Sequence, residues 1–520
     1  MNQTKTSGLL QGNILKSLVA FAFPVLLALF LQAMYGAADL IIVGQFADTY
    51  EQSGVASGSQ LFNMITMVIT GLTMGVTVFV GDCIGAGKPE RAGRGIGTGI
   101  AVFALLAAVL TALVVPFSND LAAFMHAPAE AFSQTSGYVR ICGAGTVFIV
   151  AYNVIGAVFR GIGDSKTPLL TVTIACVVNI LGDLLLVAGF GMGAAGAAIA
   201  TISAQAISVL FSFYFISKKN LPFVFSKTYI RFDPDCLKKI LLVGVPIALQ
   251  ELLVQFSFLF IQVVVNSMGV MESAAVGVAE KVCVLLMLVA SAYMQSISAF
   301  VAQNNGAGEF ERSRKALFYG IKTALAAGFV MGSIAFFAGD LLSSVFSAEA
   351  EVIAFAHDYL KAYAIDCLLT AVLFCFIGYF NGCGKTVFVM LQGVFGAFCV
   401  RIPAVYLMSR MEEVSLFHIG LGTPISSVAQ IILCGCVPDL FQSPPRQLTN
   451  QKSRATPHCV VLRLFFLLSG LCLFRSFLLP GRRLICAAVC FLRISRTKTG
   501  KCVVFRRALR HSLDRATLTC

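Results

Sequence analysis

Charge is what this chain has least of. Of its 520 residues, 12% are Asp, Glu, Lys or Arg and 58% are hydrophobic, whereas soluble domains carry about 25% charged residues. The mean hydropathy is +0.86. Together these values exclude an ordinary water-soluble domain. Catalytic and metal-binding signatures are missing too. There is no His-Glu-x-x-His and no Gly-x-Ser-x-Gly string. Gly384-Lys385-Thr386 imitates the end of a phosphate-binding loop, but Tyr379 stands where that loop needs a glycine, and no strand–helix context fits. The 17 cysteines form no Cys-x-x-Cys pair and no regular framework. Cys176, Cys283 and Cys375 fall inside apolar runs and read as small packing residues. The expectation is therefore a non-enzyme with no catalytic residue, no metal ligand and no organic cofactor. A cleavable leader is not evident either. The first apolar run, from Ile14 to Val43, is too long for one and lacks a clear cleavage site.

What is present is a series of apolar stretches of about 20 residues or more, the length that crosses a bilayer. The spacing predicts spans at 14–43, 54–83, 95–116, 134–159, 167–190 and 194–217, then at 238–267, 275–302, 316–338, 353–380, 386–408 and 415–436. Pro24 in span 1 and Pro246 in span 7 lie deep enough to bend or loosen their helices.

The two sets of six repeat each other. Gly85 to Arg91 reads GAGKPER and Gly306 to Arg312 reads GAGEFER, 221 positions on. Tyr138 matches Tyr359, Phe159 matches Phe380, Gly161 matches Gly382 and Gly163 matches Gly384 at the same offset. Phe23-Pro24 and Val245-Pro246 are paired at an offset of 222, and Ala204-Gln205 and Ala429-Gln430 at 225. A long repeat in so apolar a chain predicts an all-α membrane protein with twelve transmembrane helices in two pseudo-symmetric six-helix lobes. The expected parts are an N-lobe at 1–217, a cytoplasmic linker at 218–237, a C-lobe at 238–436 and an atypical tail at 437–520.

The distribution of basic residues predicts the orientation. Lys88, Arg91 and Arg94 follow span 2, Arg160 and Lys166 follow span 4, Lys218 and Lys219 follow span 6, and Arg312, Arg314 and Lys315 follow span 8. The alternate loops 1–2, 3–4, 5–6, 7–8 and 9–10 hold no Lys or Arg; loop 11–12 breaks the pattern with Arg410. Positive residues stay inside, so both ends of the twelve-span body are expected in the cytoplasm, as in a multi-pass protein of a bacterial inner membrane. The formal charge of +13 belongs wholly to the tail: residues 437–520 hold 15 Lys and Arg against 2 Asp and Glu, so residues 1–436 balance. It argues for no nucleic-acid partner. The tail's arginine and cysteine bias matches nothing before it, which reads as out-of-frame translation from about residue 436, with a membrane-surface segment or an extra span as the alternatives.

Polar groups inside spans are costly and are functional candidates by default. Gln32, Tyr35 and Asp39 share one face of span 1, Asn179 and Asp183 share one face of span 5, and span 6 offers Thr201 and Gln205. Two carboxylates converging in a desolvated pocket can hold one proton between them and release it when another cation arrives. Each residue also has a plainer reading: Asp39 as an interfacial acid, Asp183 as a structural hydrogen-bonding acid, Tyr35 and Thr201 as packing residues, Pro24 as a helix-shaping residue. The acids are not repeated: at the repeat offset Asp39 faces Ile261, Tyr35 faces Ser257 and Gln32 faces Val254. Glu251, Glu280, Lys281, Asp366 and Arg401 are the ionisable residues of the second half.

With its twelve spans, its paired GAGxxER strings and RGIGDSKTP at Arg160 to Pro168 with the weaker copy NGCGKT at Asn381 to Thr386, the chain resembles the MATE family of multidrug and toxin extrusion transporters over roughly residues 10–436. Its DinF-like branch is similar in carrying a Pro, Gln, Tyr and Asp on span 1 and an Asn-x-x-x-Asp on span 5. The resemblance implies a cation-coupling site at Asp39, Asp183 and Asn179 and a substrate cavity touching Pro24, Gln32, Tyr35, Thr201 and Gln205. It implies a multidrug antiporter, driven by protons in preference to sodium, that exports amphipathic organic cations by alternating access as a monomer in the lipid bilayer. A lipid-linked oligosaccharide flippase of the same superfamily, or an inactive copy with a damaged C-terminus, are the alternatives.

Overall fold

The computed structural model describes residues 8–219, 221–223 and 225–436; the tail that reads as out of frame lies outside the described residues. The chain starts with three long helices, α1 (Ile14–Phe46), α2 (Thr49–Gly85) and α3 (Pro89–Val114). A short helix α4 (Ser118–Phe124) precedes α5 (Phe132–Ala144) and α6 (Thr146–Ile162). Next come α7 (Lys166–Asp183), a π-helical segment (Leu184–Gly189) and α8 (Gly193–Lys218). The second half runs α9 (Pro234–Asn266), α10 (Val270–Ala307), α11 (Phe310–Phe337), the short α12 (Gly339–Ser344) and α13 (Ala350–Gly382). It ends with α14 (Thr386–Val394), a second π-helical segment (Phe395–Arg401), α15 (Ile402–Met408), α16 (Leu416–Gly420) and α17 (Gly422–Gly435). Eleven of these stretches are long and apolar enough to cross a membrane, and α5 with α6 makes a twelfth as one span bent by 54°.

The architecture is the all-α, twelve-span, two-lobed one, with three departures from a plain helix count. Span 4 is broken at Gly145, where a side chain would collide with Ile202 on α8. Spans 5 and 11 each pass into a π-helical segment, a local widening seen mostly at functional positions. Short helices α4 and α12 occupy the turns between spans 3 and 4 and between spans 9 and 10. The predicted prolines do not interrupt their helices: α1 runs through Pro24 and α9 through Pro246. At Pro246 the carbonyl that the missing N–H would have held, that of Leu242, accepts the Thr386 hydroxyl at 3.0 Å instead.

One apolar cluster fills the first lobe, including Ile69, Val80, Phe103, Tyr138, Val150 and Phe159. A second includes Leu18, Phe21 and Val25 of α1 with Ile297, Phe300, Leu317 and Phe380 of the other lobe, so the first half of α1 is seated on α10 and α11. A third fills the far end of the second lobe around Ile261, Val282, Tyr359 and Leu360. A small fourth cluster, Met74, Val78, Ile247 and Ala302, bridges the lobes.

The repeated Gly-Ala-Gly strings have two jobs. Gly87 and Gly308 adopt the left-handed backbone, with φ of 65° and 86°, that ends a helix and turns the chain back. Gly85 and Gly306 do something the strings themselves do not announce. A methyl group on Gly85 would run into the carbonyl oxygen of Gln303, and one on Gly306 into that of Asp82. The ends of α2 and α10 therefore meet backbone to backbone, each through its own copy of the motif. Beside this contact the Gln303 amide ties α10 to α6 by donating to the Gly161 carbonyl, 2.8 Å away.

Candidate functional site

The polar residues of the first lobe gather where α1, α5, α7 and α8 meet. Asp39 is buried in the last third of α1, Asn179 and Asp183 are fully buried at the end of α7, and Thr201 lies on α8. The Thr201 hydroxyl donates to Asp39 Oδ2 at 3.0 Å, and the Asn179 amide donates to the Thr201 hydroxyl at 3.4 Å. The Asp183 carboxyl lies beside that of Asp39, close enough for each to act on the other. Both are acceptors when ionised, so that contact needs a proton or a cation between them. Four oxygens of the pocket have no donor: Asp39 Oδ1, Asn179 Oδ1 and both oxygens of Asp183. Buried carboxylates without a counter-charge are costly to keep ionised, so the pocket as it stands calls for a proton or another positive charge.

Tyr35, one turn before Asp39, has the side-chain amides of Gln32 and Gln205 within hydrogen-bonding reach, which makes a second polar layer beside the carboxylates. Pro24 stands apart. It lies 15 residues before Asp39 on the same helix, roughly 22 Å along the axis at 1.5 Å per residue. Its neighbours Phe21 and Val25 are in the cluster shared with the second lobe.

Two residues join the site that sequence reasoning did not place there. Tyr138, buried on α5, has its hydroxyl beside Thr201 and in the field of Asp39. The clue was its place in the repeat, as the partner of Tyr359. Glu51, in the first turn of α2, accepts the Ala194 N–H at 2.7 Å and so caps the start of α8, the helix that carries Thr201 and Gln205.

In the second lobe Asp366 and Arg401 are the buried charges. Glu280 and Lys281, adjacent in sequence, point different ways. Lys281 lies over the ring of Phe346, with its nitrogen 5.8 Å from the centroid, and Glu280 acts on Tyr359 and Cys283. Among the described residues no three His, Cys, Asp or Glu side chains stand together as a metal site.

A two-lobed bundle of membrane helices with ionisable groups buried inside it is the plan of a secondary transporter. The chain belongs to the MatE family, whose profile matches it twice, over residues 24–185 and 246–407. Each match opens on a helix proline, Pro24 or Pro246. Its relatives include "Probable multidrug resistance protein YoeA" of Bacillus subtilis, 26% identical over 428 residues, covering 81% of this chain and 92% of the relative. "Probable multidrug resistance protein NorM" of Thermotoga maritima is 26% identical over 435 residues, covering 82% and 92%. Among solved structures, the "Outward-facing conformation of a multidrug resistance MATE family transporter of the MOP superfamily" matches with a TM-score of 0.79 at 22% identity, over 85% of this chain and 100% of that one. A MOP superfamily transporter from Pyrococcus furiosus, whose report describes a binding pocket of reverse polarity, also matches with a TM-score of 0.79, at 21% identity. These structures share its fold.

Proposed function

We propose that this chain is a cation-coupled multidrug antiporter of the bacterial cell membrane, with the coupling site at Asp39, Asp183 and Asn179. The observation that carries the reading is the neighbouring pair of buried carboxylates, three of whose four oxygens, with Asn179 Oδ1 beside them, have no donor. A proton or a small cation satisfies the pocket; its departure leaves two like charges in a dry site. Occupancy by one cation then excludes the other, so that binding of one goes with release of the other, which is what antiport requires. A proton fits better than sodium, because direct contact between two carboxyl groups is a hydrogen bond once one of them is protonated.

The names of the relatives support export of drugs, and an acidic first-lobe pocket favours amphipathic organic cations among them. Gln32, Tyr35, Thr201 and Gln205 line the approach to the carboxylates. The lobes divide at the segment 218–237, and the motif-bearing ends of α2 and α10 face the cytoplasm, as the flanking Lys and Arg residues indicate. Substrate and ion exchange as the lobes rock about the central cleft, and no covalent chemistry is involved.

The test is dye efflux in everted vesicles with the proton and sodium gradients collapsed in turn. Efflux should stop when the proton gradient is removed and continue without sodium. Asp39→Asn should insert normally and lose gradient-driven efflux by at least about tenfold, since an amide cannot take up the proton that drives the cycle. Wild-type efflux by Asp39→Asn across several pH values would refute the site.

A further inference from the structure

The second copy of the repeated Gly-Ala-Gly string ends in Arg312, in the first turn of α11. Its guanidinium grips the segment that leads into α1. Nη1 donates to the Gly12 carbonyl at 2.8 Å and Nη2 to the Gln11 carbonyl at 3.0 Å. Nη2 and Nε both donate to the Leu9 carbonyl at 3.3 Å. Asn304, near the end of α10, adds its amide to the same Leu9 carbonyl at 3.2 Å. The Leu9 side chain is buried in the apolar cluster that holds Phe300 and Phe380. A planar fork with donors on three nitrogens suits several carbonyls at once, as a single ammonium does not. Gly12, with φ of 76°, turns the chain, and Asn13 then caps α1 by accepting the Lys16 N–H at 3.1 Å.

The first copy of the repeat keeps the arginine without the grip. Arg91 lies over the Phe79 ring at 6.0 Å as Arg312 lies over the Phe300 ring at 5.5 Å. Cys83 stands at the repeat position of Asn304 and has no amide to offer. Among the described residues no carbonyl accepts from Arg91, which lines an open cavity of about 650 Å³ with Lys88, Arg94 and Asp233. The segment leading into α9 runs elsewhere, with the Tyr229 carbonyl against Gly97 of α3.

The consequence falls on α1, which is held by both lobes. Its first half is seated on α10 and α11, while its last third, with Asp39, packs on α7 and α8. Over its 33 residues it rises about 50 Å at 1.5 Å per residue. Rigid packed elements of this kind carry coupling between distant sites when what they join has two arrangements. The grip also adjoins the seam, since Asn304 follows Gln303, whose carbonyl meets Gly85. We propose that Arg312 is a positioning residue for transport: by clamping the carbonyls of Leu9, Gln11 and Gly12 it fixes the start of α1 to the second lobe, so that a change of charge at Asp39, toward the other end of that helix, is transmitted to that lobe. The proposal rests on the cation-coupled reading of Asp39 and Asp183.

The experiment uses the full chain reconstituted in vesicles, as wild type, Arg312→Gln, Arg312→Lys and Arg91→Gln, beside a chain lacking residues 2–12 that keeps the Asn13 cap. Dye binding and its pH dependence are read beside gradient-driven efflux and the melting temperature. Arg312→Gln should lose efflux by at least about tenfold, the scale of a typical coupling between sites. Its dye binding and the pH profile of that binding should stay as in wild type. Arg312→Lys keeps the charge but not the fork, and should lose as much efflux. The shortened chain should match Arg312→Gln, and combining the two should cost nothing further, because both remove one contact. Arg91→Gln, with no segment to hold, should keep most of its efflux.

Wild-type efflux by Arg312→Gln or by the shortened chain overturns the proposal. Full efflux by Arg312→Lys does so too, since it would leave Arg312 only a positive charge beside the membrane. Equal loss in Arg91→Gln, or loss of dye binding together with efflux, is likewise against it. If Arg312→Gln does not accumulate, Arg312→Lys and the shortened chain decide on the same criteria. Wild-type efflux by Asp39→Asn would remove the first-lobe reading itself. An inactive Asp39→Asn beside an active Arg312→Gln would remove the Arg312 clamp alone.

Discussion

At the scale of single residues, the first-lobe pocket is a coupled unit. Asp39, Thr201 and Asn179 form one hydrogen-bonded chain, and Asp183 faces its end. On the proposed reading the two acids share one proton, and groups that do so do not act independently. Asp183→Asn should therefore impair efflux as Asp39→Asn does, and the double should be no worse than the worse single. Losses that add in log rate would mean two separate sites. Tyr138→Phe removes the hydroxyl beside Thr201 without changing the ring that packs in the apolar cluster. It should leave the melting temperature near wild type while shifting the pH profile of efflux. An unchanged profile would make Tyr138 a packing residue only. The sequence disclosed most of this cluster, because helical spacing puts Gln32, Tyr35 and Asp39 on one face and Asn179 and Asp183 on another. It did not disclose Tyr138, since an aromatic residue in an apolar run gives no sign of which neighbour its hydroxyl meets.

At the scale of elements, span starts and stops followed from apolar length and from Gly and Pro, and the structure extends most of them by a few residues. α2 begins at Thr49 where hydropathy alone suggested 54, because Glu51 and Gln52 turn their polar ends to α8 and to the Leu40 carbonyl. The break at Gly145 and the π-helical segments were not legible, because they depend on what stands opposite: Ile202 fills the space at Gly145. The string RGIGDSKTP does have a local explanation. Asp164 Oδ1 accepts the N–H groups of Lys166 and Thr167 at 3.0 Å each, and Oδ2 accepts the Thr167 hydroxyl at 2.6 Å and Lys219 at 2.7 Å. One carboxylate thus starts α7 and ties it to the end of α8. Burial alone would raise the Asp164 carboxyl, but Lys219 and Thr167 outweigh it and hold the group below its ordinary value. A carboxyl lowered in the folded state stabilises above its unfolded pKa of about 3.9 and loses that contribution as pH falls through the folded value. Asp164→Ala should cost about 1–2 kcal/mol at pH 7, by analogy with lost helix caps, and the gap from wild type should close in acid. Melts in detergent at pH 7 and at pH 3 test this; identical midpoints at pH 7 would refute it.

At the scale of the whole molecule, the contact between Gly85 and Gly306 decides which face is closed. Each motif copy places its first glycine against the other helix's backbone, at Gln303 and at Asp82. The lobes therefore meet at the same end through symmetry-related atoms, and a rocking motion can open this seam only as a unit. The structure is closed at the end that carries the flanking Lys and Arg residues, the end proposed to face the cytoplasm. Gly85→Ala adds one methyl group where the Gln303 carbonyl oxygen now sits. That oxygen belongs to the helical backbone near the end of α10 and not to a flexible side chain, so it cannot simply turn aside and the helices must separate. The substitution should bias the protein toward the cytoplasm-open state, and Gly306→Ala should do the same for the same reason. Spin labels at the exposed positions Lys88 and Glu309, in a protein otherwise free of cysteine, report the distance across the seam. Wild type should give a short-distance population, and either alanine variant should move it to a longer and broader one. Gly87→Ala is the informative contrast. Gly87 has open space around it and a left-handed backbone, so its substitution strains the turn without touching the seam. It should lower stability by about 1 kcal/mol and leave the distance unchanged. If Gly87→Ala opened the seam as fully as Gly85→Ala, the motif would act through its turn, and the backbone contact would not be the gate.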